Sequence, residues 1–184
     1  MNNGPIAHRY AKALLKFVQE TGAGEQVYSQ ACVLVLRMQE IPEFADAVQK
    51  NSELMLDRKM QLLDSALDQP MQVQLRKFVA LVDSQKRIMF LQRMLHSFIE
   101  QYRQANSIKV GKLIAASEVS GLKDRLQEIL SENSGATVLL EEELNPEILG
   151  GFVLELDGSR LDASVAGQLD KIRRELVQNN NRIV

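Results

Sequence analysis

The chain has 184 residues, with 45% hydrophobic and 25% charged side chains and a formal net charge of −2. These values are typical of a globular protein with one domain or two small ones. A negative net charge disfavours nonspecific nucleic-acid binding, which needs a basic surface to release the counterions of the phosphates. One cysteine and two histidines exclude a zinc site of four Cys/His ligands and a disulfide within the chain.

The sequence contains no candidate for a membrane-spanning helix. Such a helix needs roughly 20 apolar residues, whereas the longest uninterrupted apolar run is Ala31–Leu36. The first residues lack the basic and apolar segments of a secretion signal. We therefore expect a protein that does not cross a membrane and works in the compartment where it is made.

From Pro5 to about Gln104 the apolar residues recur at helical spacing, which predicts a bundle of six helices. Proline is favoured in a first helical turn, and the Thr21–Gly24 segment is typical of a helix end. The first three helices are predicted from Pro5 to about Thr21, over about 25–40 and over 42–48. The fourth is predicted to be capped by Asn51 and Ser52, the fifth to run over about 70–82 and the sixth through Leu91–Tyr102.

The first helix carries an apolar arc wider than one neighbouring helix would bury. One stripe consists of Ile6, Tyr10, Ala13, Leu14 and Phe17, and a second consists of Ala7, Ala11, Leu15 and Val18. Two interpretations follow from this width. Either the helix packs among several others of its own bundle, or the small-residue stripe receives a helix from another protein.

The hydrophobic period changes after Asn106, which predicts a separate small α/β domain. Strands are expected over 108–116 and 137–140, with a helix over about 121–130 between them. The predicted fold is therefore mainly α, with a six-helix bundle over residues 1–105 followed by a small α/β domain over residues 106–184.

A hairpin is the clearest local prediction in the second half. Asp157-Gly158 supplies the positive φ angles of a tight turn between strands over 152–156 and 159–163. The predicted register places Leu156 opposite Ser159, Glu155 opposite Arg160 and Leu154 opposite Leu161. A last helix from about Ser164 is expected to bury an apolar stripe of Val165, Leu169, Ile172 and Leu176.

We find no pattern that predicts catalysis, cofactor binding or metal binding. Gly150, Gly151 and Gly158 match neither a dinucleotide-binding fingerprint nor a phosphate-binding loop. The two histidines have no nucleophile motif near them. The run Glu141–Glu143 lacks the pattern of a calcium loop and is interpreted as a solvated acidic turn.

Two segments of the chain resemble the signature sequences of one known family. Ile6–Leu14 contains Arg-Tyr-Ala-Lys-Ala-Leu, and Leu144–Leu154 contains Asn-Pro followed by Gly-Gly and a strand. Together they resemble the δ subunit of bacterial F-type ATP synthases, the oligomycin-sensitivity-conferral protein family. We assign a structural role to the residues that carry or adjoin the second signature: Asn145, Pro146, Gly150, Gly151, Asp157, Gly158, Asp162 and Ser164.

The resemblance implies a stator subunit that has no catalytic residues and no cofactor. In this family the N-terminal domain binds the N-terminal segments of α subunits of the catalytic head, and the C-terminal domain binds the peripheral-stalk b subunits. The head is thereby prevented from rotating with the rotor. The resemblance also implies a location at the cytoplasmic face of the bacterial plasma membrane, with membrane contact only through the complex, and no nucleic-acid partner.

The resemblance and the wide apolar arc together predict a groove for an amphipathic helix of the α subunit. Its residues are expected on the first helix and on outward positions of the fifth: Ala7, Tyr10, Ala11, Leu14, Leu15, Val18, Lys77 and Leu81. A ribosome- or RNA-associated helical adaptor is the alternative function. It would require a basic face, which the net charge disfavours.

Overall fold

The computed structural model describes residues 4–49, 55–117 and 121–180, the last five of them by their backbone alone. Contacts between residues divide the chain into two compact units, Met1–Ala105 and Asn106–Val184. The predicted fold class is confirmed, because the chain is mainly helical and carries a small sheet in its second half.

Six α-helices lie in the described part of the first unit: α1 Gly4–Thr21, α2 Gly24–Glu40, α3 Pro42–Gln49, α4 Leu56–Ala66, α5 Val73–Ser84 and α6 Leu91–Ala105. A short 3-10 helix, Ile88–Phe90, precedes α6. Gly22, between α1 and α2, has a φ of +67°, which glycine adopts at little cost. The predicted caps Asn51 and Ser52 lie outside the described residues.

The core of the first unit is built from aliphatic side chains, and α6 packs against both α1 and α2. The predicted helix through Leu91–Tyr102 is confirmed, and Leu91, Leu95 and Phe98 on its apolar face are fully buried. Burying such a side chain stabilises a fold by roughly 1.5 to 3 kcal/mol. Hydrophobic burial therefore fixes how α1, α2 and α6 pack together.

The fifth helix begins at Val73, later than the predicted start at Pro70. The buried amide of Gln30 in α2 explains this difference. Its Nε2 donates to the carbonyl oxygen of Pro70 at 3.1 Å, and its Oε1 accepts from the backbone N–H of Gln72 at 2.8 Å. Because Met71 also donates its N–H to Asp64, residues 70–72 are held outside the helix.

The described part of the second unit contains a four-stranded sheet and two α-helices, whose bounds are β1 Ile108–Ala115, α7 Leu122–Ser134, β2 Thr137–Leu144, β3 Phe152–Leu156, β4 Ser159–Asp162 and α8 Val165–Asn180. The strand order is β2-β1-β3-β4. β1 and β2 are parallel and are joined by α7, which packs on β2, whereas the other neighbours are antiparallel. A short 3-10 helix, Pro146–Ile148, follows β2.

The predicted hairpin and its register are confirmed. Leu156 pairs with Ser159, Glu155 with Arg160 and Leu154 with Leu161. Asp157 and Gly158 have φ angles of +50° and +76°, so both turn residues adopt the left-handed region that a two-residue hairpin requires.

The interpretation of Glu141–Glu143 as a turn is wrong, because these residues continue β2 to Leu144. The parallel register places Lys112 of β1 opposite Glu141, and its Nζ pairs with the carboxylate of Glu143. Hydrogen bonding and charge attraction from Glu143 raise the pKa of Lys112 above its ordinary value. Pairing with β1 and this cross-strand contact therefore extend the strand through the acidic run.

The prediction of a buried stripe on the last helix is also wrong. Val165, Leu169 and Ile172 are 43%, 54% and 53% exposed. The reason is that α8 packs mainly on the short 3-10 segment Pro146–Ile148, which is too small to cover a helix face. The side chain of Leu176 lies outside the described residues. Within the described part of the second unit, α8 thus presents its apolar stripe to solvent.

Candidate partner-binding site

The structure divides the predicted groove residues of α1 into a buried and an accessible group. Four predicted contact residues are at most 5% exposed and face the core of their own bundle: Ala7, Ala11, Leu14 and Val18. A partner cannot reach these side chains without opening the bundle. This part of the predicted site is corrected: the small-residue stripe lets neighbouring helices of the same bundle approach closely.

The accessible apolar surface of α1 lies beside this buried stripe. Ile6, Tyr10 and Phe17 are half-buried and Ala13 is exposed. These positions are spaced by three and four residues, so they form one continuous flank of the helix. Leu15 is also half-buried but lies on the opposite side of the buried stripe, which separates it from this flank.

The flank of α5 adjoins this flank of α1. Gln74, Lys77, Phe78 and Leu81 lie at helical spacing, and Leu81 is 51% exposed. The rings of Phe78 and Tyr10 meet edge to face, with their centroids 6.4 Å apart. This contact places the two flanks next to each other. We call the surface formed by Ile6, Tyr10, Ala13, Phe17, Gln74, Lys77 and Leu81, above the buried Phe78, the α1–α5 groove.

Arg87 holds the tyrosine of the α1–α5 groove in place. Its Nη1 donates to the Tyr10 hydroxyl at 2.8 Å, and its guanidinium carbon lies 5.6 Å from the centre of the Tyr10 ring. The hydrogen bond and the cation–π contact both restrict the ring. Arg87 follows the turn after α5, where Lys86 has a φ of +54°. A rigid aromatic side chain at an accessible site is a common anchor for a binding partner.

A buried ion pair joins α5 to α4 on the side of α5 that faces away from the α1–α5 groove. Nζ of Lys59 in α4 lies 2.8 Å from Oδ1 of Asp83, and the Lys59 side chain is only 4% exposed. Asp83 is therefore directed toward α4. The pair joins α4 to the end of α5 that precedes Arg87.

The residues of the second signature build the joint between the sheet and α8. Asn145 accepts a hydrogen bond from the backbone N–H of Glu147 at 2.9 Å and so caps the 3-10 helix that Pro146 begins. At Gly151 the φ is +73°, and an added Cβ would lie 2.2 Å from the carbonyl oxygen of Ala163. Only glycine fits this close approach of two backbone segments.

Asp162 and Ser164 begin α8. Oδ1 of Asp162 accepts from the backbone N–H of Ser164 at 3.0 Å and from its hydroxyl, while Oγ of Ser164 accepts from the N–H of Gly167 at 3.0 Å. These bonds from Ser164 lower the pKa of Asp162 below its ordinary value. A Cβ at position 167 would lie 2.7 Å from Oδ1 of Asp162, so glycine there leaves room for the cap.

Sequence reasoning found part of the α1–α5 groove and missed the rest. Tyr10 contacts Phe78 of α5, and the predicted residues Lys77 and Leu81 are exposed on the same helix as Phe78. Phe17 and Arg87 were not predicted as site residues. Helical spacing did place Phe17 in the same apolar stripe as Tyr10, whereas the contact between Arg87 and Tyr10 spans 77 positions and has no local signal.

The described residues contain neither a candidate membrane-spanning helix nor a candidate metal-binding cluster. None of the helices in 4–49, 55–117 and 121–180 is long and apolar enough to span a bilayer. Over the same part of the chain, no group of three or more His, Cys, Asp or Glu residues is arranged to hold a metal ion.

Comparison with known proteins assigns the family. The family model described as ATP synthase delta (OSCP) subunit matches residues 6–176. The chain is 35% identical to the ATP synthase subunit delta of Phocaeicola vulgatus, with 98% of each chain covered, and 35% identical to that of Bacteroides fragilis, with 100% of each covered. The chain therefore belongs to the ATP synthase delta (OSCP) family, a non-catalytic subunit of the F-type ATP synthase.

A solved structure shows the same fold. A chain in the cryo-EM structure of the Toxoplasma gondii mitochondrial ATP synthase hexamer superposes with a TM-score of 0.61 at 20% identity, over 93% of this chain and 97% of the other.

A more distant bacterial relative, the ATP synthase subunit delta of Lactobacillus delbrueckii, is 32% identical over 94% of this chain and 96% of its own.

Proposed function

We propose that this protein is a stator subunit that links the catalytic head of a bacterial ATP synthase to its peripheral stalk. Membership of the delta (OSCP) family supports this proposal. Each of the two units also carries an accessible apolar surface of its own: the α1–α5 groove in the first and the exposed face of α8 in the second. A link between two parts of a complex needs two such surfaces.

The observation that carries the proposal is the α1–α5 groove. Its α1 side is apolar and accessible along about three turns, Leu81 adds an exposed apolar side chain from α5, and a positioned tyrosine lies at its centre. Such a groove suits an amphipathic helix that lays apolar residues spaced by three and four into it. We assign the N-terminal helix of an α subunit to this site.

The exposed stripe of α8 is our candidate for the stalk contact. Val165, Leu169 and Ile172 lie on one face of a helix whose start is fixed by the Asp162 and Ser164 cap. A helix held at one end and apolar on its free face suits packing against another helix. We assign the b subunits to this surface, at the cytoplasmic face of the plasma membrane.

A stator contact has to withstand the torque of the rotor. One proton that crosses about 100 mV releases roughly 2.3 kcal/mol, and several protons act for each ATP. A micromolar contact corresponds to about 8 kcal/mol and a nanomolar one to about 12 kcal/mol. We therefore expect nanomolar affinity between the α1–α5 groove and its partner.

Calorimetric titration of the intact chain tests this assignment. The titrant is a peptide of the first residues of the α subunit from the same organism, with a scrambled peptide as the control. We expect one-to-one binding that Leu81→Glu weakens at least about tenfold, because a charge would enter an apolar contact. Leu36→Glu on α2 is the matched control, since Leu36 is 55% exposed and lies outside the groove. Equal weakening by both variants would contradict the site.

A further inference from the structure

The edges of the α1–α5 groove are basic. On α1, Arg9 and Lys16 flank the exposed Ala13 at i−4 and i+3, and Lys77 flanks Leu81 at i−4 on α5. All three side chains are exposed. Arg87 lies beside Tyr10. Four cations therefore border the groove, although the chain as a whole has a net charge of −2.

Little negative charge balances these cations. Lys16 reaches the exposed carboxylate of Glu20 at 3.9 Å. Asp83 is directed away from the groove to the buried Lys59. Within the described ranges, Lys77 has no ion pair with a carboxylate, and Arg87 binds the Tyr10 hydroxyl. The edge of the groove thus keeps an excess of positive charge that the protein itself does not neutralise.

We infer that the helix bound in the α1–α5 groove carries acidic side chains on both sides of its apolar face, so that charge complementarity orients it and speeds its association. The inference rests on the proposed function of the same groove. Charges at the edge of an interface act mainly on the association rate and on its salt dependence. The apolar walls supply the affinity, and the basic edges select an acidic helix.

The experiment measures association rates of the α-subunit peptide with the intact chain at about 20 mM and about 300 mM salt. At low salt we expect Lys77→Glu to slow association about three- to tenfold, and the difference to shrink at high salt, because screening weakens exposed charge pairs. Lys171→Glu on α8 makes the same charge change outside the groove and is the control. In a second peptide, amides replace the carboxylates. We expect this peptide to associate slowly with the wild type, and we expect Lys77→Glu to leave its association rate unchanged.

The outcomes separate this inference from the function on which it rests. One outcome would overturn the acidic-helix inference and keep the groove. In it, Leu81→Glu weakens binding, but the association rate does not change with salt, with Lys77→Glu or with replacement of the peptide's carboxylates by amides. An α-subunit N-terminal segment without acidic residues beside its apolar face would overturn it as well. No binding of the peptide to the folded wild-type chain would refute the site and the inference together.

Discussion

At the scale of single residues, the ion pair between Lys59 and Asp83 should destabilise the fold when only one of its two partners is replaced. Asp83→Asn would leave the Lys59 charge buried without its partner. We expect a loss of about 3 kcal/mol in the free energy of unfolding of the first unit. Since all three tyrosines lie in that unit, tyrosine fluorescence during urea unfolding reports on it alone.

The double variant Lys59→Met/Asp83→Asn tests the cause of that loss. It removes the charge and keeps an apolar side chain of similar length, so most of the stability should return. A double variant as unstable as Asp83→Asn alone would show that the ion pair is not what stabilises this contact.

Two neighbouring alanines of α1 separate folding from binding. Ala11 is fully buried, whereas Ala13 is exposed in the α1–α5 groove. We expect Ala11→Glu to destabilise the first unit by more than about 3 kcal/mol, because it buries an unpaired charge. Ala13→Glu should leave the unfolding midpoint nearly unchanged and weaken binding of the α-subunit peptide. The two variants are compared by urea unfolding and by titration, and a stable Ala11→Glu protein would contradict the packing of α1.

The Asp162 cap predicts a specific pH dependence. Because the pKa of Asp162 is lowered in the folded state, its ionised form adds stability above the unfolded carboxyl value of about 3.9, and this contribution is lost as the pH falls through the lower folded value. Asp162→Asn should therefore destabilise the second unit at pH 6 and matter less at pH 3. Urea unfolding followed by circular dichroism measures both, with Asp170→Asn on α8 as the control. A difference that stays constant with pH would contradict the ionised cap.

At the scale of elements, the joint between the sheet and α8 depends on one glycine more than on another. Gly151 and Gly158 both have positive φ angles, but only at Gly151 does an added Cβ meet backbone. We expect Gly158→Ala to cost about 1 to 2 kcal/mol from its backbone conformation alone, and Gly151→Ala to cost clearly more. Circular dichroism during urea unfolding compares them, and equal losses would contradict the close approach to Ala163.

The sequence predicts most elements of this fold, because helical periodicity and hairpin chemistry are local signals. The Leu154–Leu161 pairing followed from the turn at Asp157-Gly158 alone. Long-range contacts account for the failures: Gln30 delays the start of α5, and β1 extends β2 through the acidic run. Which stripe of α1 is buried was also not predictable, since both stripes are apolar and only the neighbouring helices decide between them.

At the scale of the whole molecule, the two units divide the proposed work. The groove belongs to the helical unit and the exposed α8 stripe to the α/β unit, and each surface is built by residues of its own unit. Substitutions in one unit should therefore leave the other surface intact. A linker of this kind connects two partners only if both surfaces are occupied at the same time.

The most direct test of the stator proposal is therefore native mass spectrometry of the intact chain mixed with the α-subunit peptide and a C-terminal segment of the b subunit. We predict a ternary complex that contains all three components, from which Leu81→Glu removes only the α peptide and Leu169→Glu removes only the b segment. Competition between the two ligands, or a chain that binds neither, would contradict the proposal that this protein joins the head to the stalk.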